Sequence, residues 1–308
     1  MKKHYHSDMK KRYVAVMLLC MVCMAAGAEE LVSYFGIGAG VYSQLHFDNS
    51  NITDSKLGGG GEVTLAYHSQ RGNFIFMAGL SGAFASTRIG VKTGNDILVR
   101  PATDSRGRDY QMVVDMKDRE DRCRMFDLRL PVLLGVELDP WYLLAGPVLV
   151  MNLKSNTYHT AMVRTKGRYD EYYEDLVNLP QHGFHDFERM SYKGSMRFTY
   201  DARLAIETGY TFYFGKYKLS NRASSDSKLR LGLFAECSVI NIRSNNTRML
   251  VSGSVLDENG KLNLVMNHAY TAEATSGNWV RTALVGVRLT YLIRVKRRPG
   301  LYCPCMNK

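Results

Sequence analysis

The sequence predicts an eight-stranded, antiparallel, up-and-down transmembrane β-barrel with long extracellular loops. Three observations carry that expectation. Eight segments alternate apolar and polar residues with a period of two, the connections between them alternate short and long, and charge is confined to one face of the segments.

The chain opens with the pattern of an export signal. Lys10-Lys11-Arg12 precedes an apolar run over residues 14–24, and Ala26-Gly27-Ala28 supplies the small residues a signal peptidase requires. Met9 is a second candidate start. Leu19 and Val22 are too large to precede a lipidated cysteine at Cys20 or Cys23. Residues 1–28 are therefore expected to be removed, with the barrel over 29–293 and a basic periplasmic tail over 294–308. No second apolar stretch is long enough for a helical span.

The period-two segments are 33–45, 58–68, 73–85, 126–138, 141–153, 197–212, 229–241 and 279–293. In 126–138 the even positions run Phe126, Leu128, Leu130, Val132, Leu134, Val136 and Leu138, while the odd ones include Asp127, Arg129, Gly135 and Glu137. At 11 to 16 residues these segments exceed an ordinary globular strand. They suit a tilted strand crossing a bilayer, which needs about 9–11 residues.

Alternation is symmetric under exchange of inside and outside, so other features must decide between a soluble sandwich and a membrane barrel. The second, fourth and sixth connections (69–72, 139–140, 213–228) are short beside 86–125, 154–196 and 242–278. That rhythm matches tight periplasmic turns and long outer loops. The polar faces carry Glu62, Asp127, Arg129, Glu137, Arg197, Asp201, Arg203, Glu207, Arg230, Glu236 and Arg288, whereas the apolar faces carry only Arg281. A charge facing lipid at the midplane costs about 2–4 kcal/mol, which explains the exclusion. Arg mixed with carboxylate and without Lys suits a narrow lumen closed by bidentate ion pairs. The glycines of 36–40 and 58–61 fit the taper and curvature of a small barrel. A phosphate loop is not expected at 58–61, because neither Lys-Ser/Thr nor a helix follows.

The mean hydropathy of -0.21 excludes a helical membrane bundle, and the net charge is +11. Cations sit mostly beside acids, so nucleic acid is not an expected partner. Four cysteines beyond the signal, Cys123, Cys237, Cys303 and Cys305, are too few for a disulfide scaffold.

The signal peptide, the Gly-alternating first segment and the run from Phe126-Asp127-Leu128-Arg129-Leu130-Pro131-Val132-Leu133-Leu134-Gly135 to Trp141-Tyr142-Leu143-Leu144-Ala145-Gly146-Pro147 resemble the PorT-like outer-membrane β-barrel proteins of Bacteroidota. The resemblance spans about residues 29–293, and its distinctive part is this hairpin. It implies an eight-stranded barrel and no shared enzymatic chemistry. The chain departs from that pattern in three outer loops of about forty residues and in its basic tail beyond Tyr291.

Chemistry-bearing clusters are sparse. His182-Gly183-Phe184-His185-Asp186 lacks a third ligand on a regular element, and Cys303-Pro304-Cys305 lies in a tail, so no metal or cofactor is expected. The apolar faces hold no His for an acyl-transfer triad, so enzymatic activity is not expected. The outer loops bring Tyr158, Tyr169, Tyr172, Tyr173, Phe184, Phe187 and Tyr192 among mixed charges, the composition of a surface binder. The expected role is a structural or surface-binding outer-membrane barrel of a Gram-negative bacterium. Its partners are outer-membrane lipid and lipopolysaccharide, with an extracellular or periplasmic protein at the loops. The alternatives are a narrow channel or membrane component of a secretion apparatus, and a soluble lipocalin-like carrier with an apolar interior.

Overall fold

A computed structural model describes residues 31–92, 97–103, 106–170, 176–177, 184, 186–196, 200–214, 225–242, 251–252, 265–271 and 278–295. The expected signal peptide, all but the first two residues of the basic tail, and Arg197, Tyr172, Tyr173, His182, His185, Cys303 and Cys305 lie outside them. The strands are β1 (Leu31–Asp48), β2 (Thr53–Arg71), β3 (Phe74–Val91), β4 (Ile97–Thr103), β5 (Asp109–Leu138), β6 (Trp141–Arg168), β7 (Glu188–Ser195), β8 (Asp201–Phe214), β9 (Ser227–Ser238), β10 (Val251–Ser252), β11 (Val265–Met266) and β12 (Val280–Arg294).

Eight of these close a ring in the order β1, β2, β3, β5, β6, β8, β9, β12 and back to β1, every neighbour antiparallel. This is the expected up-and-down barrel. Closure pairs Tyr34 with Arg294, and the hairpin turn pairs Leu138 with Trp141, so both termini of the ring and its tight turns share one end. A glycine in the left-handed region, Gly72, turns β2 into β3.

The long outer connections differ from expectation. Residues 109–125 and 154–168 are not loop: they are the upper parts of β5 and β6, which pair with each other from the turn to the Gln111–Arg168 rung. With β4 on one side and β7 on the other they form a four-stranded sheet rising from the barrel rim. Two register shifts hid this from a period-two reading. One, around Lys117 and Glu120, contains Asp118 with a positive φ of 52°. The other leaves Leu153 as an extra residue on β6 opposite the Phe126–Asp127 step. Each bulge swaps which parity faces inward. Thus β6 buries Tyr142, Leu144, Val148 and Val150 below it, but Ser155, Thr157 and His159 above.

The barrel is apolar outside. Val41, Leu149, Leu204, Leu233 and Val285 are 57–67% exposed, and the opposite parity of the same strands is buried. Each such side chain would gain on the order of 1 kcal/mol from an apolar surround. The inward faces hold the charges, so the interior is not the apolar one that a lipocalin-like carrier would need. The rising sheet has its own core, in which Tyr110, Met112, Val114, Met116, Ala161 and Val163 pack with Tyr169, Phe184 and Met266.

Candidate functional site: a charge-filled lumen and its outer vestibule

Every described member of the expected lumen set points inward. Glu62, Asp127, Arg129, Glu137, Asp201, Arg203, Glu207, Arg230, Glu236 and Arg288 are each at most 5% exposed. Carboxylates this dry need partners, and most find them on other strands, Asp201 with Arg203 on β8 being the exception.

In the middle layer Arg129 on β5 donates from Nη1 to Glu62 on β2 at 2.5 Å and from Nη2 to Glu236 on β9 at 2.8 Å. Arg288 on β12 donates from Nε to Glu62 Oε1 at 2.8 Å and also binds Glu207 on β8. Tyr142 completes Glu207 through its hydroxyl at 2.9 Å. Gly232 makes that possible, since a Cβ there would lie 2.1 Å from the Tyr142 hydroxyl oxygen.

Near the turn end, Glu137 accepts from Tyr213 at 2.5 Å, from Lys228 at 3.0 Å and from Arg230. Lys228 also donates to Gln70 Oε1 at 2.6 Å. A lysine in the network corrects the Lys-free expectation. Lys228 stands two residues before Arg230 on the same face, one residue outside the alternating segment that begins at residue 229. Its ammonium lies over the Tyr34 ring, 4.9 Å from the centroid, which offsets part of its desolvation.

At the outer end Arg203 donates from Nε to Asp201 at 2.6 Å and reaches Glu236 at 3.5 Å, and Ser238 donates to Asp201 at 2.8 Å. Asp127 forms no ion pair among the described residues and accepts from Asn152 at 2.8 Å. The cavity beside it, lined by His46, Asp127, Asn152, Asp201 and Arg203, measures about 20 Å³, room for a water rather than a solute. Part of the interior is apolar: Ile75, Met77, Leu133, Leu144, Val148 and Val150 pack together with Tyr142.

Above the rim, beyond the outward apolar belt, a second buried cluster holds the segment around β11. Asp121 accepts from Arg119 Nε at 3.1 Å, from the Ala269 amide at 2.9 Å, and shares a hydrogen bond with His159 Nδ1 at 2.8 Å. Arg119 Nη2 also donates to the Asn267 carbonyl. Burial opposes charge on Asp121, but the Arg119 guanidinium and the His159 hydrogen bond hold its carboxyl well below the usual range. Burial pushes the neighbouring His268 down to about 4. The parity of Asp127 and Arg129, continued upward, reaches Asp121 and Arg119, so this cluster was legible once β5 was known to continue.

The expected loop aromatics divide. Tyr169 and Phe184 are corrections: they are 7% and 1% exposed, Tyr110 stacks on Tyr169 at 4.8 Å and meets Phe184 edge-on at 5.8 Å, and neither presents a surface for binding. An aromatic in a charged segment suggests a contact surface, whereas here the rising sheet uses it as core. Tyr158, Phe187 and Tyr192 are half-buried. Arg124 and Lys193 lie over the Tyr158 ring, Lys117 and Arg164 over Phe187, and Tyr192 stacks on His159. Among the described residues no group of three or more His, Cys, Asp or Glu is placed to hold a metal ion.

Fold and site together define a closed, eight-stranded β-barrel whose lumen is filled by ion pairs. No family model matches the chain, and no curated protein matches it. Among solved structures it is similar to the attachment invasion locus protein Ail of Yersinia pestis, in complex with the heparin analogue sucrose octasulfate, at 10% identity over 84% of this chain and 98% of that one, with a TM-score of 0.26. It is also similar to the outer membrane protease OmpT from Escherichia coli, at 7% identity over 86% and 96% of the two chains, with a TM-score of 0.31.

Proposed function

We propose that this chain is an outer-membrane barrel of a Gram-negative bacterium that does not conduct, and that it works without enzymatic chemistry as a rigid carrier of a binding surface. The observation that carries the reading is the cross-lumen pairing of Arg129 with both Glu62 and Glu236, all three side chains at most 2% exposed. A lumen so filled offers no path for ions. Its stiffness suits a scaffold that holds the β4–β7 sheet in place.

The membrane setting rests on the outward apolar belt and its aromatic edges. The chain's two tryptophans lie at opposite ends of the barrel: Trp141 packs edge-on against Tyr210 at 5.6 Å, and Trp279 against Phe47 at 6.2 Å. Aromatic girdles mark the two interfaces of membrane barrels. The partners proposed are outer-membrane lipid and lipopolysaccharide around the belt and an extracellular protein at the raised sheet. Membership of a secretion apparatus is the second reading, and the PorT-like hairpin of residues 126–147 is what favours it.

Planar-bilayer recording tests the first reading. The purified protein is expected to give no steady current, and an Arg129→Ala/Arg288→Ala variant to give a small one. A steady single-channel current from the wild type would overturn the closed lumen. Heat-modifiable migration in detergent gels tests the barrel itself.

A further inference from the structure

Four cations stand in one cross-strand row on the outside of the rim. Lys56 on β2 pairs with Arg88 on β3, Arg88 with Arg122 on β5, Arg122 with Tyr158 on β6, and Tyr158 with Lys193 on β7. Arg124 lies one row lower, and Lys154 lies one further, opposite Phe126 of the apolar belt. Like charges placed directly opposite one another destabilise a sheet. Among the described residues two acids share this face, Asp54 and Glu120. Glu120 is within 3.2 Å of Lys56 and 3.9 Å of Arg122, whereas Arg88 and Lys154 meet no acid among the described residues. Arg124 and Lys193 lie over the Tyr158 ring, at 5.1 and 5.9 Å from its centroid, and form no ion pair among the described residues. Six cations against two carboxylates is an unbalanced patch.

We propose that this row is a docking site for the phosphate groups of glycolipids in the outer leaflet, a site that rests on the outer-membrane reading above. Its place selects a lipid rather than a soluble ligand. The row faces outward, immediately above Phe84, Phe126 and Leu153, where a headgroup layer meets the belt. Guanidiniums at Arg88, Arg122 and Arg124 offer forked donors that match phosphate oxygens. Lys154, opposite Phe126, is long enough to lay its stem along the apolar belt and hold its ammonium at headgroup height. A bound phosphate would relieve the repulsion between Arg88 and Arg122, which the protein alone leaves unbalanced.

Native mass spectrometry of the folded full chain in neutral detergent tests the site, with bis-phosphorylated lipid A and its dephosphorylated form as probes. The wild type is expected to retain the phosphorylated lipid in preference by about tenfold or more. Arg88→Gln/Arg122→Gln/Arg124→Gln should lose on the order of a hundredfold, at about fivefold per cation. It should fold at least as well, since the substitutions remove like-charge contacts, and single Arg88→Gln should show the same direction. Arg281→Gln, on β12, should leave retention unchanged. Equal retention of the two lipids, or equal retention by the triple variant, would overturn the proposal. Complete displacement by millimolar inorganic phosphate would overturn the choice of a lipid over a free anion. Loss of heat-modifiable migration by the wild type would sink the outer-membrane reading instead, so the two failures are distinguishable.

Discussion

Arg129 and Glu236 meet at 2.8 Å across the barrel, although β5 and β9 are separated in the ring by β6 and β8. The same guanidinium holds Glu62, so one side chain ties three strands together. Arg129→Met is expected to cost about 3–5 kcal/mol, because it strips a cation from two buried carboxylates. Glu236 would keep only Arg203 at 3.5 Å. Urea unfolding in lipid vesicles measures this. Arg129→Met/Glu236→Leu should cost clearly less than the sum of the single changes, and strict additivity would show that the pair is not coupled.

Gly135 is required by backbone contact in the resembling hairpin. A Cβ at this position would sit 1.8 Å from the Leu143 carbonyl oxygen on β6. Gly135→Ala must therefore push β5 and β6 apart, at a cost of about 1–3 kcal/mol or more. Refolding yield into detergent should drop, whereas Gly82→Ala, where a Cβ would have its nearest neighbour at 3.8 Å, should refold normally.

His268 makes the outer vestibule sensitive to acid. It is buried beside Asp121, His159 and Arg119, and its folded value of about 4 lies below the ordinary 6.5. Between those values the released segment binds more protons than the docked one, so docking is fully stabilised above pH 6.5 and weakens as pH falls toward about 4. The loss amounts to at most about 3 kcal/mol. Asp121, held below its usual range, loses its contribution only at lower pH still. Hydrogen exchange at the Ala269 amide, corrected for its intrinsic rate, should show protection declining across this window. Undiminished protection at the acid end would contradict the prediction.

Phe184 seals the raised sheet, its ring lying where a Cβ on Gly167 would come within 2.3 Å. Phe184→Ala is expected to cost about 3–5 kcal/mol locally. Limited trypsinolysis should then cut the segment above the rim while the barrel keeps its heat-modifiable migration. Loss of both together would show that sheet and barrel unfold as one unit.

Much of the fold was legible in the sequence because strand alternation is a local property. Phe126 to Leu138 needs no partner to show its two faces, and that the described lumen charges, from Glu62 to Arg288, share one face followed from parity alone. Lys228, Tyr142 and Tyr213 were harder to see, the first because it lies at a segment edge and the tyrosines because an aromatic reads as apolar until its hydroxyl finds Glu207 or Glu137. Asp121 and Arg119 keep the parity of Asp127 and Arg129, and were hidden because no residue type announces that β5 runs on past Phe126 to its bulge at Lys117 and Glu120.

The sequence by itself determined that the chain alternates along eight segments and that charge occupies one side of them. The tertiary structure decided that this side faces inward, that Glu62 meets Arg288 across 226 residues of chain, and that β5 and β6 outgrow the barrel. Periodicity is written between residues two apart, whereas closure of a ring, choice of an ion-pair partner and continuation of a strand past a bulge depend on segments that meet only once the chain has folded.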